Sequence, residues 1–203
     1  MTAGIISDAG KRERLQNHRK LVRLFCGEIR NPSLPPKALP EEKQGHQPAH
    51  MYIEIEGPCS GKGRVCEPIL RALPAWFGIE ASIVRYTREI DDLPTWLACE
   101  TGRVLGFISI KQHSPFAAEF YVMGLYPGTH RQGLGRALTV EAEQWLKDRG
   151  VEYLQVKTLG PSAADANYAG TRAFYQTLGF RPLEELKQIW DENNPCLIMV
   201  KRL

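Results

Sequence analysis

The chain has 203 residues, 43% of them hydrophobic, and a formal net charge of +3, which suits one domain with its own core plus an appendage. No apolar run is long enough to cross a membrane, and the first residues lack the apolar stretch and small-residue cleavage site of a secretory signal. The five cysteines, Cys26, Cys59, Cys66, Cys99 and Cys196, form no Cys-x-x-Cys and do not cluster with the five histidines, so a cytoplasmic protein with free thiols and no metal is expected.

The first segment holds the basic excess. Residues 1–50 carry nine Lys and Arg against five Asp and Glu, a balance of +4 that leaves −1 for the remainder. Leu15, Val22, Phe25 and Ile29 are spaced to line one face of a short helix. Pro32, Pro35, Pro36, Pro40 and Pro48 make residues 31–50 a stiff linker. Residues 1–50 therefore read as a poorly ordered extension and residues 51–203 as the folded domain. No nucleic-acid-reading motif accompanies the basic stretch, so no nucleic acid partner is expected.

From Met51 the chain becomes regular. Met51 to Glu56 alternates as a half-buried strand. Glu67 to Phe77 has helical spacing at Ile69, Leu70, Leu73 and Trp76, with Pro74 as its kink or end. Ala81 to Asp91 predicts a second helix with Ile83, Val84, Tyr86 and Ile90 as buried candidates. Thr95–Cys99 and Val104–Lys111 read as a hairpin about a Glu100-Thr101-Gly102 turn.

Glu119 to Trp145 organises the rest. Phe120 to Met123 has the composition of a buried strand. Pro127 and Gly128 stop it. Gln132-Gly133-Leu134-Gly135 then opens a helix striped by Leu134, Leu138, Ala142 and Trp145. A glycine turn feeding a helix start leaves backbone N–H groups unpartnered and parallel, a ready site for a pyrophosphate. Spacing separates the candidate loops. A P-loop needs Lys after its last glycine, and none follows Gly135. A dinucleotide fingerprint needs a third glycine where Leu138 stands. Downstream, Val151–Thr158 reads as a strand, Tyr168–Leu178 as the last helix and Cys196–Lys201 as the last strand. Gly179 caps that helix, and Phe180 starts the strand that returns to the core.

The third loop pattern, Arg/Gln-x-x-Gly-x-Gly/Ala, is met at its glycines by His130 to Gly135, with His130 where Arg or Gln is usual. Here the chain resembles the GNAT superfamily of acetyl-CoA-dependent N-acetyltransferases. Tyr175-Gln176-Thr177-Leu178-Gly179-Phe180 is similar to the Tyr-x-x-x-Gly-Phe that ends the last helix of these enzymes. The element order β-α-α-β-β-β-α-β-α-β over residues 51–203 is also theirs. The resemblance implies an α/β (α+β) fold with a mixed, mostly antiparallel central sheet flanked by helices. It implies an acyltransferase that moves acetyl from acetyl-CoA to a primary amine, on a small molecule or a protein, by direct attack in a ternary complex. The alternative is a non-catalytic acyl-CoA sensor or partner-binding module.

The chemistry sets requirements. An amine of pKa about 10.4 must lose its proton, which costs about 4–5 kcal/mol at pH 7. The carbonyl oxygen needs an N–H donor, and the departing thiolate needs an acid. By the resemblance, backbone groups of Met123, Gly124 and Leu125 pair with the pantetheine arm. Amides of Arg131, Gln132, Gly133, Leu134, Gly135, Arg136 and Ala137 hold the pyrophosphate. Tyr175 is the acid, and Asn167 reaches the pantetheine from one place earlier than the usual Asn. For the base, Glu119 is preferred over Asp165. On an alternating strand Glu119 shares a face with Met123 and Leu125. The acceptor groove falls between residues 65–92 and the loop before the last strand. Trp76, Phe77, Tyr86 and Trp190 are read as core there, and Glu80, Glu89, Asp91 and Asp92 as candidates to attract a cationic amine. The acceptor's identity and a homodimer stay open.

Overall fold

Apolar residues that run almost unbroken along the central strands give the sheet two greasy faces, and helices must cover both. The computed structural model describes residues 19–22, as a strand, and residues 53–203. The strands are β1 (Arg19–Val22), β2 (Ile53–Cys59), β3 (Thr95–Glu100), β4 (Arg103–Gln112), β5 (Ala117–Leu125), β6 (Tyr153–Leu159), β7 (Arg181–Asp191) and β8 (Asn194–Arg202). The helices are α1 (Gly63–Arg71), α2 (Glu80–Ile90), α3 (Leu134–Lys147) and α4 (Ala166–Thr177). The strands form one eight-stranded sheet in the order β1-β2-β3-β4-β5-β6-β8-β7. Only β5 and β6 run parallel; the remaining neighbours are antiparallel. The parallel pair needs a crossover, and α3 supplies it.

Each face has its own core. On one, Cys66, Ile69, Leu70, Leu73, Ile83 and Ile90 of the α1–α2 layer bury against Leu97, Cys99, Phe107 and Val122. On the other, Leu134, Leu138, Ala142 and Leu146 of α3 and Tyr175 of α4 pack on Ile55, Trp96, Ile108, Ile110, Phe120, Val156 and Met199. Each aliphatic side chain so buried contributes roughly 1.5–3 kcal/mol.

One irregularity in β5 decides where the site faces. Ser109 pairs with Val122 and Ile110 with Phe120, which leaves Tyr121 as an extra residue, a β-bulge. Tyr121 and Val122 both pack on the α1–α2 side, while Phe120 and Met123 pack on the α3–α4 side. The alternation is thus reset between them. Glu119, next to Phe120, faces α1 and α2, and Met123 and Leu125 face the other way. The expectation that Glu119 shares a face with Met123 and Leu125 is corrected by this bulge.

Other readings shift more simply. α1 starts at Gly63 and ends at Arg71, ahead of Pro74. Val84 is 57% exposed, so it is not core. The loop expected before the last strand is β7, an edge strand of eleven residues whose side chains are mostly exposed. Its charged sequence carries no apolar alternation, and an exposed edge strand needs none. Arg19–Val22 is a strand paired with β2, which breaks the helix expected through Val22. Leu15, Phe25, Ile29 and the proline-rich 31–50 lie outside the described residues. Among the described residues, no helix is long and apolar enough to cross a membrane.

Candidate active site

The site begins where two strands part. β5 and β6 pair from Ala117 opposite Tyr153 to Phe120 opposite Val156. β5 continues to Leu125 and β6 to Leu159 without further pairing to each other. The bulge at Tyr121 sits at that point and bends β5 away. The other edge of β5 stays paired to β4 as far as Leu125 opposite Gly106. Tyr121 to Leu125 therefore offers one unpaired edge of backbone N–H and C=O groups, a template for an extended ligand.

The glycine loop closes one end of that edge. After a single 3-10 turn at Pro127–Thr129, Arg131 has φ 61° and Gly133 φ 83°. Gly133 is the N-cap of α3 and no side chain caps the helix. The amides of Arg131, Gln132, Gly133, Leu134, Gly135 and Arg136 reach no acceptor among the described residues. Six adjacent N–H groups at a helix start bind an anion by geometry and by the helix dipole. Ala137 leaves the expected set, because its amide donates to the Gly133 carbonyl at 3.0 Å in the first helical bond. A Cβ on Gly135 would lie 3.1 Å from Phe174 Cζ, so glycine lets α4 approach this turn. His130, at the position of the usual Arg or Gln, places Nε2 2.9 Å from the Leu125 carbonyl and ties the loop to the end of β5.

Glu119 is buried, with 3% of its surface exposed. Its Oε2 lies 2.7 Å from His113 Nε2, 2.8 Å from Lys157 Nζ and 3.3 Å from Gln155 Nε2. Gln155 and Lys157 alternate on β6 and share a face. Burial pushes the pKa of the nearby Tyr86 hydroxyl up, Arg85 opposes this, and the Glu119 charge adds a smaller push upward. His113, Gln155 and Lys157 escape the sequence reading. Two polar side chains at alternate positions of the otherwise apolar Tyr153–Leu159 strand were the available signal.

α4 brings the other candidates. Asp165 is its N-cap and accepts from the Tyr168 amide at 2.9 Å. That bond engages Oδ1 in the helix cap. Asn167 stands exposed in the first turn. Tyr175 is 7% exposed within the α3–α4 core, its ring between Phe174 and Phe180 at centroid distances of 5.5 and 5.7 Å. Burial pushes its pKa well above the ordinary tyrosine value, and Tyr168 adds to this. Among the described residues its hydroxyl has no hydrogen-bond partner.

The connection between α1 and α2 forms a further wall. Trp76 Nε1 donates to Thr171 Oγ1 at 3.0 Å, Tyr168 donates to the Trp76 carbonyl at 3.0 Å, and the Trp76 ring meets His130 edge-on at 6.1 Å. Trp76, Phe77 and Tyr86 are partly buried against the α1–α2 core, whereas Trp190 lies 39% exposed on β7 rather than in the core. Three of the four candidate acids are already engaged. Glu80 pairs with Arg71 at 2.8 Å, Asp91 accepts from the Gly63 amide at 2.8 Å, and Glu89 accepts from the Tyr121 hydroxyl.

The model of the family described as "Acetyltransferase (GNAT) family" matches residues 66–180. The chain belongs to the GNAT acetyltransferase family. The match runs from α1 through the glycine loop to Phe180 and so contains every candidate catalytic and acetyl-CoA-binding residue. Among solved structures, a GNAT-family acetyltransferase from Desulfovibrio desulfuricans superposes with TM-score 0.64 at 18% identity, over 74% of this chain and 98% of that one. PaiA N-acetyltransferase from Thermoplasma acidophilum, in complex with coenzyme A, gives TM-score 0.59 at 20% identity over 75% and 100%. By sequence, mycothiol acetyltransferase from Beutenbergia cavernae is 34% identical over 90 residues, 43% of this chain and 28% of that protein. The chain thus spans less than a third of the length of that curated relative. The GNAT fold expected from the sequence, a mixed and mostly antiparallel sheet flanked by helices, is the fold observed.

Proposed function

We propose that this GNAT protein transfers the acetyl group of acetyl-CoA to a primary amine by direct attack in a ternary complex. The observation that carries the reading is the run of six unpartnered amides, Arg131 to Arg136, beside the unpaired edge of β5. The pyrophosphate rests on those amides. The pantetheine arm adds to Met123, Gly124 and Leu125 as a strand would, and an N–H there polarises the thioester carbonyl. Asn167, in the first turn of α4, contacts the arm.

Glu119 takes the ammonium proton from the α1–α2 side, directly or through one water. The freed amine attacks the carbonyl carbon, the C–S bond breaks as the tetrahedral intermediate collapses, and the second proton lost by the attacking nitrogen passes through solvent to the thiolate. Tyr175 serves the departing sulfur from the α3–α4 side. Its raised pKa keeps the hydroxyl protonated at working pH. The same burial makes full donation to a thiolate of pKa about 8.5 uphill, so Tyr175 acts first as a hydrogen-bond donor to the developing charge.

The acceptor is a small molecule or a protein amine. Relatives named for mycothiol place mycothiol-related amines in the test panel. The buried free thiols Cys66, Cys99 and Cys196 suit a reducing compartment and support a cytoplasmic setting. Free-CoA release across an amine panel tests the reading. Acetyl-CoA binding with no release for any amine would leave a non-catalytic binding module instead.

A further inference from the structure

The two oxygens of Glu119 are treated differently. Oε2 faces His113, Lys157 and Gln155 at 2.7, 2.8 and 3.3 Å. Oε1 accepts from no described donor. A carboxylate has about four acceptor sites across its two oxygens, so three donors on one oxygen reflect placement. Lys157 and Gln155 rise from β6, and His113 arrives from the β4–β5 connection. Lys111, opposite Glu119 on β4, turns away to Glu89 at 3.9 Å and over the Tyr121 ring at 5.0 Å.

The geometry points to His113, Lys157 and Gln155 as positioning residues that hold Glu119 by Oε2 and leave Oε1 as the atom that takes the acceptor's proton. This rests on the reading of Glu119 as the base. An ionised carboxylate only accepts hydrogen bonds, so His113 must carry its proton on Nε2, with Nδ1 turned outward. Gln155 Nε2, 3.3 Å from His113 Nε2, is a third donor converging on the same oxygen. Glu has three side-chain torsions to fix, and a misplacement of about 1 Å costs roughly a hundredfold in rate. Three anchors on one oxygen fix those torsions before substrate arrives.

His113 can be tested by chemical rescue. Its side chain is 37% exposed and borders an open depression of about 170 Å³ shared with Ala117, Tyr153, Gln155 and Val200, which admits imidazole. With the best amine of the panel, His113→Ala should lower kcat by roughly tenfold to a hundredfold at an unchanged KM for acetyl-CoA. Added imidazole should restore part of the loss. In a Glu119→Gln background, His113→Ala should have no further effect. An unchanged kcat, a loss that imidazole leaves in place, or an undiminished loss in the Glu119→Gln background overturns the proposal. If His113→Ala does not fold, Lys157→Met and Lys157→Arg ask the same question: arginine should recover part of the rate that methionine loses, and equal losses overturn it. If the unaltered protein acetylates no amine, the proposed function fails by itself. The geometry is then read by nitrogen NMR of the full chain. His113 should show a protonated Nε2 whose signal moves in Glu119→Gln, and a signal indifferent to that change overturns the arrangement.

Discussion

Glu119 and Tyr175 stand on opposite faces of the sheet, on either side of the gap where β5 and β6 part. Tyr175 belongs to the α3–α4 core, and the bulge at Tyr121 turns Glu119 toward α1 and α2. A thioester lying in the gap would meet its nucleophile from one face and release its sulfur toward the other. Under the proposed function, proton removal and sulfur stabilisation fall to separate surfaces, and variants of the two residues should differ in character.

Glu119→Gln should lower kcat by about a hundredfold or more at and below neutral pH. The KM for acetyl-CoA should hardly change, because the proposed donor contacts lie at the other end of β5. Initial rates from pH 6 to 9 check this. An unaltered pH profile would remove Glu119 from the mechanism.

Tyr175→Phe should slow turnover while leaving the fold intact. The lost hydroxyl has no described partner, so the stability change should stay within about 0.5 kcal/mol. Tyr175→Ala empties a buried ring site and should cost about 3–5 kcal/mol. Thermal melts and single-turnover rates separate the two. An unchanged rate in Tyr175→Phe would make the residue structural.

Gly133→Ala forces a side chain onto φ 83°, a strain of about 1–2 kcal/mol. The turn should relax and swing the adjacent amides off their common focus. Acetyl-CoA affinity should then fall by about tenfold in calorimetry. A variant that binds as tightly as the parent would place the pyrophosphate elsewhere.

Trp76→Phe removes the Nε1 bond to Thr171 and keeps most of the packing. We expect about 1 kcal/mol less stability and a raised KM for the acceptor, with acetyl-CoA affinity unchanged. Parallel titrations of both substrates check the split.

Alkali should destabilise the protein through its buried tyrosines. Burial, with Tyr86 and Asp165 adding to it, pushes Tyr168 up to about 12, and burial raises Tyr175 further. An unfolded tyrosine ionises near pH 10, so the unfolded state binds fewer protons above that pH. The stability from these groups is therefore complete below about pH 10 and is lost as pH rises through about 12. A buried tyrosine such as Tyr175 contributes a slope of up to about 1.4 kcal/mol per pH unit in that window. Melting temperatures from pH 8 to 11.5 should stay level and then fall, and Tyr168→Phe should soften the fall.

Much of this protein was decided locally, and so was legible in the sequence. Leu134, Leu138 and Ala142 announce α3 because one helix face must be apolar to pack. Gly133 and Gly135 announce the turn into α3 because few residues accept that backbone or that closeness. Gly179 and Phe180 mark the end of α4 in the same way. Other features depended on partners far away in the chain. An edge strand such as β7 buries little, so nothing in its composition separates it from a loop. The bulge at Tyr121 exists only in the register between β5 and β4, and it alone decides which face Glu119 looks from. The grip on Glu119 joins His113, Gln155 and Lys157, up to 44 positions apart in the sequence, and arises only once β5 and β6 lie side by side. Local sequence thus determined the elements and the glycine loop, because propensity and periodicity act over a few residues. The tertiary structure alone determined the facing and anchoring of Glu119, because strand register and long-range side-chain contacts have no short-range signature.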